Sequence, residues 1–148
     1  MLFELGVASL MVLGTVIFHG LGLQALSRIL GLDSTRHYEF GMMSMRGLAL
    51  TTGAALGLLV LHGIEIWAYA VLFHVTGAVP GMRDAVYFST ITFGAIGYGD
   101  GPVAEPWKLV AGIEGINGVV LIGWSVAFLV TVMDRLATHR RKEKAPPG

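Results

Sequence analysis

Ala95-Ile96-Gly97-Tyr98-Gly99-Asp100 is the stretch on which the reading of this chain turns. Two glycines flank one aromatic residue, and an aspartate follows. Glycine reaches backbone conformations that other residues avoid. A segment of this kind can turn successive carbonyls toward one axis, where rings of carbonyl oxygens replace the water shell of a dehydrated cation. One copy per chain supplies only one side of each ring, so the stretch predicts a closed cyclic oligomer.

The surroundings of the stretch are membrane-like. The chain has 148 residues, no cysteine and a formal net charge of zero. Its mean hydropathy of +0.69 leaves too little polar surface for an ordinary soluble domain. Leu5 to Leu23 is uncharged and long enough to span a bilayer. Gly47 to Val75 is a second such run, interrupted by His62, Glu65 and His74, and Leu109 to Met133 is a third, interrupted by Glu114 and Asn117. Ala85 to Phe93 is apolar but too short to span, and reads as a re-entrant helix. The N-terminus carries Glu4, lacks early basic residues and does not read as a signal peptide. The absence of cysteine leaves the redox compartment open, and no basic face suits nucleic acid.

Basic residues set the expected orientation. Arg28, Arg36 and Arg46 border the connection between the first two spans, and Arg135, Arg140, Arg141, Lys142 and Lys144 follow the last; only Arg83 and Lys108 fall elsewhere. The first connection and the C-terminus are therefore expected in the cytoplasm of a cell-membrane protein. The N-terminus and the 77–107 region then face outward, so the short helix enters from outside.

The expected elements follow from breakers and caps. A first helix over 1–31 ends near Gly31, a polar loop follows to residue 45, and a second helix covers 46–76. The run 76–81 breaks it, and Pro80 is placed to open the short helix, which Gly94 ends. Trp107 starts the last helix, expected to end near Leu136, with a charged, disordered tail from His139. The domain reading is 1–45 for the N-terminal helix and loop, 46–136 for the pore module and 137–148 for the tail. No internal repeat is visible.

From about Arg46 to Leu136, the order of long helix, short helix, Gly97-Tyr98-Gly99-Asp100 and long helix resembles the pore module of the potassium-channel superfamily. Within it, Glu114-Gly115-Ile116-Asn117-Gly118 and Gly123-Trp124-Ser125 are similar to the inner helix of small bacterial two-pore-domain-like ion channels, although this chain has one pore segment. The resemblance implies an all-α membrane protein with three transmembrane helices, one re-entrant pore helix and one filter loop per subunit, assembled as a homotetramer. It implies a passive potassium channel, with no enzymatic chemistry and no cofactor beyond potassium ions in the filter. Membrane lipid is then the surrounding partner, with no nucleic acid and no small-molecule substrate.

The same resemblance implies roles for particular residues. Carbonyls of Ala95, Ile96, Gly97 and Tyr98, in the filter ending at Gly99, are the expected ion ligands. Gly94 and Ala95 stand where the family often carries two threonines, so Ala95 lacks the hydroxyl that serves the innermost site. Tyr87 and Phe88 stand where an aromatic pair braces the filter, with Tyr87 one polar partner for Tyr98; as lipid-interface aromatics they need no such role. Asp100 either raises the cation concentration at the outer mouth or ties the loop to the short helix. Ile116, Val120, Gly123 and Ala127 share one helical face, expected to line the cavity. Gly118 and Gly123 are either hinges or close-packing residues, and Gly53 with Gly57 suggests a contact with the first helix or a neighbouring subunit.

Ionisable groups within a membrane are costly and usually find partners. Glu65, His62, Glu114 and Asn117 are expected to form one buried polar cluster behind the filter, with His19 at the depth of His62. It is either structural pairing or a proton-sensitive support of the filter. His37 and His139 read as solvated, and no metal site is expected from the sequence. Competing functional readings are a weakly selective sodium/potassium pore and a non-conducting scaffold with a degenerate filter. An active transporter is disfavoured by the absence of repeat-related broken helices.

Overall fold

The computed structural model describes residues 1–31, 44–97 and 103–143, with side chains to residue 136. Tyr98, Gly99, Asp100 and His37 lie outside the described residues, as does the side chain of His139. Four α-helices make up the fold: α1 (Leu2–Ile29), α2 (Met45–Val75), α3 (Met82–Phe93) and α4 (Lys108–Glu143). A single 3-10 turn, Glu105–Trp107, leads into α4. No strand occurs among the described residues. Helices α1, α2 and the Glu105–Leu136 segment are each long and apolar enough to cross a membrane. At 12 residues, α3 is about 18 Å long, well short of the ~30 Å hydrocarbon core.

Local chemistry accounts for most helix ends. Gly31 takes φ +65 directly after the Leu30 cap of α1. The Ser44 hydroxyl accepts from the Gly47 amide at 3.0 Å and caps α2. Gly94 caps α3 in place of a further turn. Two ends differ from expectation. Pro80 does not open α3: Gly81 is its N-cap, in extended conformation, and Asp84 supplies the acidic residue of the first turn. The fixed φ of proline serves the preceding bend instead. Helix α4 continues to Glu143 rather than ending near Leu136. The residues from 137 to 143 contain no glycine or proline, and a basic run suits the negative end of a helix.

Contacts fix the relative directions of the helices. Along α1 and α2 the paired residues run in opposite order: Gly22 meets Leu61, and Leu26 meets Gly57. Along α1 and α4 they run in the same order, from Phe3 against Trp107 (ring centroids 6.3 Å apart) to Gly20 against Trp124. Helix α1 therefore packs against both α2 and α4 of its own chain, and Gly57 serves the contact with α2 while Gly53 approaches Leu30.

Helix α3 sits against α2 and α4. Its Phe88 is buried and meets Phe73 edge-on, with ring centroids 5.5 Å apart. Around this pair lies the larger core, with Tyr69, Phe93, Val110 and Leu121. Smaller apolar groups, Leu23 with Leu58 and Leu61, and Ala54 with Val132 and Leu136, hold the opposite half of the bundle.

Candidate functional site

The C-terminal end of α3 is built to stop and turn. The Ile91 carbonyl accepts both the Ile96 amide at 2.8 Å and the Gly97 amide at 3.2 Å. This wrap requires left-handed backbone at Ala95 (φ +53) and at Gly97 (φ +52). Glycine tolerates that conformation freely, whereas alanine is strained in it. Residues 94–97 emerge on the exposed surface of the chain, with Ile96 57% exposed.

The end of α3 is also pressed against α4. A Cβ on Gly118 would lie 2.1 Å from the Phe93 carbonyl oxygen, and one on Gly115 would lie 3.3 Å from that of Thr92. Gly118 is thus a close-packing residue. Gly123 has open space on its side, with nothing within 4 Å of a built Cβ. Ile116, Val120, Gly123 and Ala127 all lie on the exposed face of α4. Tyr87 is 61% exposed, while Phe88 points into the core.

The expected single polar cluster is resolved into three hydrogen-bonded groups. In the first, Glu65 and both neighbouring histidines form a ring with Ser125. His19 Nδ1 lies 2.8 Å from Glu65 Oε1, and His62 Nδ1 lies 3.0 Å from Oε2. The Ser125 hydroxyl closes the ring, 2.9 Å from His62 Nε2 and 3.3 Å from His19 Nε2. The imidazoles stack with centroids 5.2 Å apart, and the His62 ring is 5.6 Å from that of Phe93, beside the turn out of α3.

In the second group the Ser89 hydroxyl, on α3, donates to Glu114 Oε1. The same hydroxyl lies 3.0 Å from the Ile66 carbonyl oxygen. One hydroxyl thereby joins α2, α3 and α4. Glu114 Oε2 is buried and has no hydrogen bond among the described residues. In the third, the Asn117 amide donates to Thr15 Oγ1 at 2.8 Å and to the Tyr69 hydroxyl at 3.2 Å, joining α1, α2 and α4.

The separation has a simple cause. Glu114 and Asn117 are less than a turn apart but face different neighbours, α3 and α1 respectively, while Glu65 sits near Ser125, two to three turns further along α4. Ser89, Thr15 and Tyr69 carry no signal of their own in the sequence, and Ser125 stands out there only as part of Gly123-Trp124-Ser125. Each is a short or aromatic polar residue in an apolar run, and only its position opposite Glu65, Glu114 or Asn117 distinguishes it. By distance alone, His19, His62 and Glu65 could also hold a metal ion, since their ligand atoms lie within 4.8 Å of one another.

What this arrangement can do chemically is positional. The polar groups tie helices together around the end of α3. A comparison with known families matches residues 58–135 to the model described as ion channel. The match takes in part of α2, all of α3 and most of α4, and leaves α1 outside. No curated protein and no solved structure matches the chain. With more than half of its length matched, and with three helices able to cross a membrane, the chain belongs to the ion channel family and is a multi-pass membrane protein.

Proposed function

We propose that the protein is a passive, potassium-selective channel that works as a homotetramer. Ions move down their gradient through a filter formed by Ala95, Ile96, Gly97, Tyr98 and Gly99. The observation that carries the reading is the departure of residues 95–97 from the end of α3. Two alternate residues take left-handed backbone on the exposed surface, at the start of the glycine-flanked stretch. Four copies around an axis would supply the carbonyl rings that a single chain lacks.

Other features agree with it. The apolar α4 face, with Ile116 68% and Val120 58% exposed, is the face that a central cavity would use. Gly123 and Ala127 keep that cavity wide. The negative end of the α3 dipole then favours a cation beneath the filter. Asp100 is assigned to the outer mouth and Tyr87 and Phe88 to the flank of the filter. Glu65, His62, Glu114 and Asn117 hold the helices that carry it. The charge bias puts the N-terminus outside and the C-terminus in the cytoplasm.

Ala95 favours a second reading, a weakly selective sodium/potassium pore, because the innermost site has no hydroxyl ring. Purified protein in liposomes tests both. Potassium flux with a bi-ionic reversal potential near the potassium limit supports the first, and a reversal potential near zero supports the second. No flux of either ion overturns both and favours a non-conducting scaffold.

A further inference from the structure

We propose that the ring of His19, Glu65, His62 and Ser125 is a proton-binding site that locks α1 to the pore-forming helices. The inference goes beyond conduction and does not depend on which ion the pore passes.

The argument is a count of hydrogens. The ring contains four contacts of hydrogen-bond length, between 2.8 and 3.3 Å. Four hydrogen bonds need four hydrogens, whichever tautomers the imidazoles adopt. A carboxylate, two neutral imidazoles and one hydroxyl bring only three. Without a fourth, two lone pairs face one another somewhere in the ring, and a buried polar atom is left unsatisfied. His19 and Glu65 are 0% and 1% exposed, so water does not make up the deficit at either.

Charge leads to the same number. With three hydrogens the ring carries the full negative charge of Glu65 inside the membrane. With four it is neutral. Among the described residues no other charged group is bonded to the ring. On α1, His19 is the titratable group facing the ring; on α2 they are His62 and Glu65, with Tyr69 a turn further on and bonded to Asn117. On α4, Glu114 is turned to Ser89. Helix α3 offers Ser89 and the Phe93 ring, and Trp124 covers His19 at 5.4 Å. Arg28 and Arg135 stand about 13–15 Å of helix rise away from His19 and Ser125.

A divalent metal fits less well than a proton. It would leave the ring with a net positive charge and would have to displace bonds that are already closed. The proton also has a defined path: it passes between the imidazoles by relay through the Ser125 hydroxyl, which accepts from one Nε2 and donates to the other. Loss of the proton opens one of the four bonds, and every bond but that between His62 and Glu65 joins two helices.

Glu65→Gln provides the matching control. The amide oxygen accepts from one Nδ1–H, and the amide N–H donates to the other Nδ1. With Ser125 relaying as before, four bonds close with both imidazoles neutral. The test is nitrogen-15 NMR of the full-length protein in lipid, with His37, His74 and His139 replaced by Gln so that only His19 and His62 report. The wild-type spectrum, with five histidines, contains the same signals should that background fold poorly.

At about pH 7 the expected result is one proton per subunit beyond the three, read either as an imidazolium equivalent shared by the two rings or, from the carboxyl carbon-13 signal, as a protonated Glu65 with both rings neutral. It is absent from Glu65→Gln. Two neutral rings beside an ionised Glu65 carboxylate in the unsubstituted site would overturn the proposal. So would stoichiometric binding of added cobalt(II) with imidazole-ligated absorption, which would assign the ring to a metal.

Discussion

The Phe93 carbonyl oxygen occupies the space that a side chain on Gly118 would need, 2.1 Å from the built Cβ position. The obstacle is backbone, at the last residue of α3, so neither helix can yield by rotating a side chain. Gly118→Ala must push α3 away from α4, at a cost of about 1–3 kcal/mol for an overpacked contact. Gly123→Ala meets nothing within 4 Å and should fold at least as well as the parent. Thermal unfolding in detergent separates the two. Equal melting of both variants would mean that α3 is not held where Gly118 requires it.

This contact marks the boundary of what the sequence made legible. Three apolar runs, the stop at Gly94 and the depths of His19, His62 and Glu65 follow from hydropathy, cap chemistry and a count of turns. The division of the polar residues does not. Glu114 and Asn117 share a helix and a depth, yet one bonds Ser89 and the other Thr15 and Tyr69, because rotation about the α4 axis decides which neighbour each one meets. Hydropathy is blind to that rotation. Ser125 is equally hidden, since a serine in an apolar helix most often bonds its own backbone. The two roles left open for Gly118 also could not be separated by spacing, because a hinge and a close approach both call for the same absent side chain.

Helix α1 is keyed into α2 by two reciprocal pairs, Leu61 over Gly22 and Leu26 over Gly57. The Leu26 Cδ1 atom stands 2.5 Å from a Cβ built on Gly57. Gly57→Ala and Leu26→Ala should therefore each destabilise, while the double variant recovers part of the loss because the new methyl enters the vacated space. A coupling of about 1 kcal/mol is expected in a double-mutant cycle, read from unfolding midpoints. Strict additivity would show that α1 does not dock through this pair.

Ser89 and Glu114 are an unequal couple. Ser89→Ala leaves a buried carboxyl group without its hydroxyl partner, and also frees the Ile66 carbonyl that the same hydroxyl meets at 3.0 Å. Glu114→Gln keeps an oxygen for Ser89 to donate to and removes the ionisable group. The serine variant should be the less stable by about 1 kcal/mol. As the two residues connect α3 to α4, both variants should also alter liposome flux. Unchanged open probability and unchanged pH dependence in Glu114→Gln would remove Glu114 as a proton-sensitive support of the filter and leave it a structural residue.

Ala95 combines a strained backbone with a missing hydroxyl, and the two effects predict opposite responses to substitution. At φ +53 an alanine costs about 1 kcal/mol relative to glycine. Ala95→Gly should therefore leave stability unchanged or raise it slightly, once the greater freedom of glycine in the unfolded chain is set against the relief. Ala95→Thr places a β-branched residue in the same left-handed conformation, which is a genuine outlier, and should lower the unfolding midpoint by the equivalent of about 1–2 kcal/mol. Under the proposed function, the threonine nevertheless restores a hydroxyl ring to the innermost ion site. The assemblies that survive should then have a bi-ionic reversal potential nearer the potassium limit than the parent, while the glycine variant stays with the parent. Reversal potentials measured on both variants in one lipid decide the matter. A threonine variant that is less stable but no more selective would show that Ala95 is retained for the turn out of α3 alone.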